Sequence, residues 1–261
     1  MNARTMKQRG LTLIELVVVL VVLTAVAGIL LPKLPSMLTR TNTAVGATNI
    51  AELSKAIQLY EQTNFGYPQD FDSLVTTTSG GLFAALPGGN AAGDLVEVAI
   101  TAENQQALDE AGIFSLMVMQ DPDSSPPSDF SVTFNPYSSV SAPSTSVDQF
   151  DTLVGISDAA LQDVLNAPPG KYVVFGVGKR CTLVGDTIDS APTHFSDSTS
   201  NRADQTYARY GVVFQLEDAL GPLERARIAA VIAIDDDGIQ TADSFVENFY
   251  DLNSSSGQSS N

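Results

Sequence analysis

An apolar run from Leu11 to Leu31, interrupted only by Thr12, Glu15, Thr24 and small residues, constrains this chain more than any other feature. Ten polar and basic residues precede it, Met-Asn-Ala-Arg-Thr-Met-Lys-Gln-Arg-Gly. As a helix rising ~1.5 Å per residue, the run would span about 31 Å, the thickness of a bilayer's hydrocarbon core. Arg4, Lys7 and Arg9 lie ahead of it, which orients such a helix with its N-terminus in the cytoplasm and the rest of the chain outside. An ordinary secretory signal has a shorter apolar core followed by a small-residue cleavage site, so Ala25-Val26-Ala27 offers only a superficial match. A plain signal anchor accounts for the length and the basic flank. It does not account for Glu15, since a carboxylate in hydrocarbon costs at least ~2.5 kcal/mol on insertion scales.

The segment Lys7-Gln8-Arg9-Gly10 followed by Leu11-Thr12-Leu13-Ile14-Glu15-Leu16 resembles the prepilin signal of type IV pilins and type II secretion pseudopilins. The resemblance implies cleavage between Gly10 and Leu11 with methylation of the new N-terminus, and it makes Glu15 the fifth mature residue. Pro32 becomes the 22nd, where many pilins carry a helix-kinking proline. Leu11 departs from the pattern, because the family usually has Phe or Met there. The physical role follows. A charged Leu11 amine among apolar helices needs a counter-charge, and Glu15 of a neighbouring copy would supply it, so that the pair sets register during assembly.

Beyond Pro35, Ile50, Leu53, Ile57 and Tyr60 recur at helical spacing, with Glu52, Lys55 and Glu61 elsewhere around the helix. This reads as an amphipathic continuation to about Thr63, stopped by Asn64-Phe65-Gly66-Tyr67-Pro68. The stretch from Ala56 through Tyr60 to Tyr67-Pro68, followed by Phe71 and Leu74, is similar to the end of the long helix in major pseudopilins. Residues 76–93 are Thr/Gly/Ala-rich and read as a surface loop. Leu95–Ile100 and Ile113–Met119 read as strands around a helix at Ala102–Ala111. Asp121–Asp129 and Ser138–Val147 are Pro/Ser-rich loops, and Asp158–Leu165 is a short helix. Lys171–Val177, Tyr207–Leu216 and Ile228–Ile234 are strands, and 251–261 is a polar tail without the composition to fold.

Thirty acidic against 13 basic residues give a net charge of −17, and three of those bases precede Gly10, leaving 10 against 30 without the leader. So acidic a body repels nucleic acid, which is excluded as a partner. One cysteine, Cys181, allows no internal disulfide, and one histidine, His194, removes HExxH and paired-histidine metal sites.

Asp235-Asp236-Asp237-Gly238 through Asp243 follows a predicted strand. Clustered carboxylates around a turn glycine suit calcium, and an acidic turn without metal suits the same residues. Ala233 stands where the first EF-hand ligand belongs. The loop is similar to the C-terminal calcium loop of pseudopilins, which implies Asp237 and Asp243 as ligands, Asp235 as a third, and calcium as the cofactor. Gly176-Val177-Gly178-Lys179-Arg180 fails the phosphate-loop test, since Val173 occupies the first glycine position, and reads as a strand end with a basic turn. His194 reads as a surface or capping residue. Cys181, beside Lys179 and Arg180, has two readings: a thiol whose pKa those cations lower or, the one preferred, a half-buried strand residue.

The fold class expected is α+β and pilin-like. A long helix over 11–63, membrane-spanning over 11–31, packs on an antiparallel sheet head of 64–250 that carries a large insertion. The resemblance implies a structural, non-enzymatic subunit of a type IV pilus-like or type II secretion pseudopilus filament. Its partners are copies of itself, the prepilin peptidase, the inner-membrane assembly platform and, before assembly, membrane lipid. It implies an inner-membrane protein with its head outside the cytoplasm, then a periplasmic or extracellular filament. The alternative is a minor or tip subunit acting as an adhesin or substrate-binding module.

Overall fold

The computed structural model describes residues 13–30, 34–87, 90–119, 144–194 and 206–247. The chain divides into two compact units, Met1–Thr41 and Asn42–Asn261.

In the first unit, helix α1 covers Leu13–Leu30. Its valines are indifferent helix formers, but a helix satisfies every backbone group without water, which an apolar run needs. The Thr24 hydroxyl folds back onto the carbonyls of Leu20 at 3.0 Å and Val21 at 2.9 Å, so it offers no free polar surface. No helix among the described residues is long and apolar enough to cross a membrane. The 18 described residues of α1 reach ~27 Å at 1.5 Å per residue, just under a ~30 Å core. The apolar run behind the expected span extends past α1 at both ends. A second helix, α2, covers Leu34–Asn64. The single helix expected over 11–63 thus meets two described stretches, and Pro32 lies outside the described residues.

In the second unit, α2 buries one stripe. Thr43, Gly46, Ile50, Leu53, Ile57 and Tyr60 fall at three- and four-residue steps, while Glu52, Lys55 and Gln58 face solvent. The stripe begins about two turns before the first residue of the expected periodicity. Asn49 Nδ2 donates to Tyr210 Oη at 3.1 Å, Tyr60 Oη meets Thr182 Oγ1 at 3.1 Å, and Arg225 pairs with Glu61 at 2.9 Å. These contacts fix the helix along its length. Phe65 turns left-handed at φ 58° and the Tyr67 N–H donates to the Ala111 carbonyl at 2.8 Å, which ends α2 where the sequence predicts.

The sheet comprises β1 (Phe71–Asp72), β4 (Leu95–Ala99), β5 (Ser115–Met117), β6 (Thr145–Ser146), β7 (Thr152–Ile156), β8 (Lys171–Gly176), β9 (Tyr210–Asp218), β10 (Gly221–Asp235) and β11 (Gly238–Gln240). A separate small hairpin pairs β2 (Val75–Thr77) with β3 (Gly80–Leu82). The main order is β11-β10-β9-β8-β1-β5-β6, and β7 branches from β8 carrying β4 on its far side. Every pairing is antiparallel except β1 with β5. Helix α3 (Ala102–Glu110) opens on a Thr101–Asn104 capping box. Short helices α4 (Asp158–Asp163), α5 (Leu183–Asp186) and α6 (242–247), with a 3-10 turn at Val147–Gln149, complete the described elements. The core centres on Tyr67, Phe71, Phe175 and Phe214, whose rings pack at 5.1–6.1 Å with Phe214 touching the other three. Each ring fully buried stabilises by about 1.5–3 kcal/mol.

The chain is therefore α+β with a mostly antiparallel sheet. Residues 76–93, read as a surface loop, instead hold the β2–β3 hairpin and bury Phe83, Ala85 and Leu86. Glycine and threonine there mark the tight turn, while Ala85 joins the core and Ala84, Ala91 and Ala92 stay exposed. The strand expected over Ile228–Ile234 begins seven residues earlier, at Gly221. That first half is exposed on one side and reads Pro-Leu-Glu-Arg-Ala-Arg, with too few apolar residues to show the alternation. Strand β7 escaped notice because Gly155 interrupts its short apolar run, packed against Val98 and the Tyr172 carbonyl. The Pro/Ser-rich stretches lie mostly outside the described residues, as does 251–261.

Candidate functional site

Two places carry the residues that the sequence singles out. The first is α1. Each described side chain from Leu13 to Gly28 is exposed, Leu13 at 82% and Ile14 at 71%. Eleven large aliphatic side chains there face outward around the whole helix. An ordinary surface helix keeps its apolar residues to one stripe, so an all-round apolar helix has its partner elsewhere. Burying eleven such side chains is worth roughly 15–30 kcal/mol at ~1.5–3 kcal/mol each. Glu15, in the first turn, is the only charge on the helix. Its ~2.5–3.5 kcal/mol cost in hydrocarbon is several-fold smaller, so burial of α1 wins with the carboxylate included. Gly10, Leu11 and Pro32 lie outside the described residues.

The second place is the β10–β11 hairpin. Asp235 pairs with Gly238 across a two-residue turn, Asp236-Asp237. Gly238 has φ +118°, and an added Cβ would run into the Asp94 carboxylate, whose Oδ2 accepts from the Ile239 N–H at 2.9 Å. Asp235 Oδ1 accepts from the Asp236 N–H at 2.7 Å, and its Oδ2 lies 3.4 Å from His194 Nε2. Asp237 is exposed. Asp243 is exposed in the first turn of α6, where a carboxylate suits the helix dipole, behind a Thr241 cap that accepts from the Ser244 N–H at 3.2 Å. Asp236 Oδ1 is buried and has no hydrogen-bond partner among the described residues, which fits a cation. Against that, no group of three or more His, Cys, Asp or Glu among the described residues is placed to hold a metal. Of the three expected ligands, Asp235 is held by the Asp236 N–H and faces His194, while Asp237 and Asp243 are exposed.

His194 is not the surface residue expected. It is 6% exposed, its ring 5.6 Å from those of both Tyr210 and Phe245. A lone histidine in a polar stretch gave no sign of this, because the burying rings come from β9 and α6. Cys181 also differs. It is 1% exposed in the turn after β8, and burial pushes its thiol well above the ordinary range instead of below it. One buried polar pair went unseen in the sequence. Tyr207 Oη donates to Asp72 Oδ2 at 2.7 Å inside the core, where burial first and the Asp72 charge second raise the Tyr207 pKa well above normal.

The N-terminal segment carries the likeness to known proteins. Residues 5–31 match the model of the prokaryotic N-terminal methylation motif. The chain is 32% identical over 77 residues to the type II secretion system core protein G of Pseudomonas aeruginosa PAO1, covering 28% of this chain and 54% of that one. It is 34% identical over 74 residues to the protein of the same name from Escherichia coli K12, covering 27% and 51%. The chain thus spans about half the length of the curated relatives it matches, and no solved structure matches it. These matches support kinship of its N-terminal segment with the type IV pilin and pseudopilin family.

Proposed function

We propose that the chain is a structural subunit of a pseudopilus or type IV pilus-like filament. In this reading a prepilin peptidase cuts between Gly10 and Leu11, and residues 11–31 hold the subunit in the inner membrane with its head outside the cytoplasm. An assembly platform then delivers it to a helical polymer of copies. The observation that carries the reading is α1, apolar on every side and exposed along its described length. Lipid first and neighbouring α1 helices later would cover it. Glu15 is then a register device, since a carboxylate on one helix and the new Leu11 amine on the next offset each other's desolvation only when the copies are aligned.

Glu15→Ala tests this directly. Cleavage after Gly10, followed by mass, should persist while sheared filaments disappear. Normal filaments from that variant would refute the pairing.

A second reading has its own support. The curated relatives match only 27–28% of the chain, leaving most of the head without a counterpart. A minor or tip subunit, with the head as an adhesive or substrate-binding module, fits that coverage. Abundance separates the two: a major subunit dominates sheared filaments, a tip subunit is scarce in them. Calcium at the β10–β11 hairpin belongs to this proposal as well, supported by the resemblance and by the buried Asp236 oxygen.

A further inference from the structure

The bases of the head are few, and several are already engaged. Lys171 Nζ lies 2.7 Å from Glu217 and donates to Asn104 Oδ1 at 3.1 Å. Arg225 pairs with Glu61 and sits over the Tyr67 ring at 5.4 Å, and buried Arg209 donates to the Ala191 carbonyl. Lys179 and Arg180 differ. They stand side by side in the turn after β8, both exposed, and neither makes an ion pair with a described residue.

A groove of about 570 Å³ lies between α3 and the first half of β10, lined by Glu103, Glu110, Pro222, Leu223, Glu224 and Arg225, whose guanidinium is already paired with Glu61. All three glutamates are exposed. Backbone hydrogen bonding at the start of α3, with the Thr101 hydroxyl second, holds the Glu103 carboxyl below its ordinary range. The strand register fixes where groove and turn lie. Pro222 pairs with Glu217 and Glu217 with Lys171, so Pro222 and its groove sit at the start of β8. The basic turn follows the other end of that strand, after Gly176. From Lys171 to Gly176 is ~17 Å at 3.3 Å per residue.

We propose that the Lys179–Arg180 turn of one copy seats in the Glu103–Glu224 groove of the next. This interface rests on the subunit reading above and names the head surfaces that it uses. Opposite charges at opposite ends of one body make a head-to-tail contact, which builds an open helical polymer when its rotation does not close a ring. The contact also offsets self-repulsion among copies that each carry 30 acidic side chains. A second copy is the occupant because both complementary surfaces belong to this one chain.

The test combines Lys179→Cys and Glu103→Cys in the full chain and oxidises sheared filaments. The two positions lie too far apart for a disulfide within one copy, which needs Cα atoms within about 7 Å. Each single-cysteine parent controls for the buried Cys181. A ladder of dimers and higher multimers, seen only with the double variant, is expected. Filaments that form normally yet stay monomeric on oxidation overturn the contact and leave the subunit reading standing. An unsubstituted chain that forms no filaments defeats the subunit reading, and the contact with it. Charge reversal gives a second measure. Lys179→Glu with Arg180→Glu should cut filament yield about tenfold, Glu103→Lys with Glu224→Lys likewise, and the four together should restore it. No recovery in the quadruple variant overturns the contact.

Discussion

At the scale of single residues, the head is held by a few contacts whose removal should be measurable. Asp72 is fully buried and accepts a hydrogen bond from Tyr207. Tyr207→Phe deletes the donor but keeps the ring, so the loss in unfolding free energy should be about 1–3 kcal/mol by denaturant titration. A Cβ at Gly178 would overlap the same Asp72 carboxylate, and Gly178→Ala should destabilise by a similar amount. Glu217 behaves differently because it is only partly buried. The hydrogen bond from Lys171 is the first cause of its lowered pKa. A carboxylate lowered on folding adds stability that is fully present above its unfolded pKa and lost as pH falls through the folded value. Glu217→Gln should therefore cost at most about 1 kcal/mol at pH 7, and melting curves of variant and parent should converge below about pH 4. A gap unchanged at low pH would rule out the ion pair as its source.

At the scale of elements, legibility follows periodicity. Ile50, Leu53, Ile57 and Tyr60 were readable because a helix on a flat sheet must repeat its apolar residues every three or four positions, and all four are buried. Leu59 carries a similar side chain on the same helix yet is 55% exposed. Ile57→Ala should thus cost about 2–5 kcal/mol and Leu59→Ala under about 0.5 kcal/mol. Strand β8 was readable as a short apolar run, Tyr172–Phe175, bounded by Gly170 and Gly178. The first half of β10, from Gly221, was not, because its ladder to β9 depends on backbone atoms that any side chain permits. The acidic hairpin was legible as a turn from Asp-Gly, but whether its carboxylates converge depends on Asp94 and His194, distant in sequence. If calcium binds there, excess calcium should raise the melting temperature of the full chain and Asp237→Asn should abolish the rise. No shift with the unsubstituted chain would remove calcium from the reading.

At the scale of the whole molecule, the matches to known proteins cover a minority of the chain, 77 and 74 residues, and most of the sheet-bearing unit lies beyond them. The methylation motif ends at residue 31, and the matched relatives cover little more than a quarter of the chain. The apolar run from Leu11 to Leu31 was legible because its composition needs no tertiary context. The groove was not, since Glu103 and Glu224 come from separate elements that only the fold brings together. Leu13→Ala and Val17→Ala should leave the head's melting temperature unchanged while weakening filaments, because α1 belongs to another unit than the sheet.

The outward-facing aliphatic side chains of α1 have a kinetic consequence. A subunit leaving a filament into water would expose a surface whose burial is worth roughly 15–30 kcal/mol, so that exit is closed on any biological timescale. In the filament reading, subunits come and go only at the end rooted in lipid. The bilayer then acts as a two-dimensional reservoir, and its surface density of subunits, not their concentration in solution, sets whether the polymer grows or shrinks. A detached filament would neither lengthen nor dissolve.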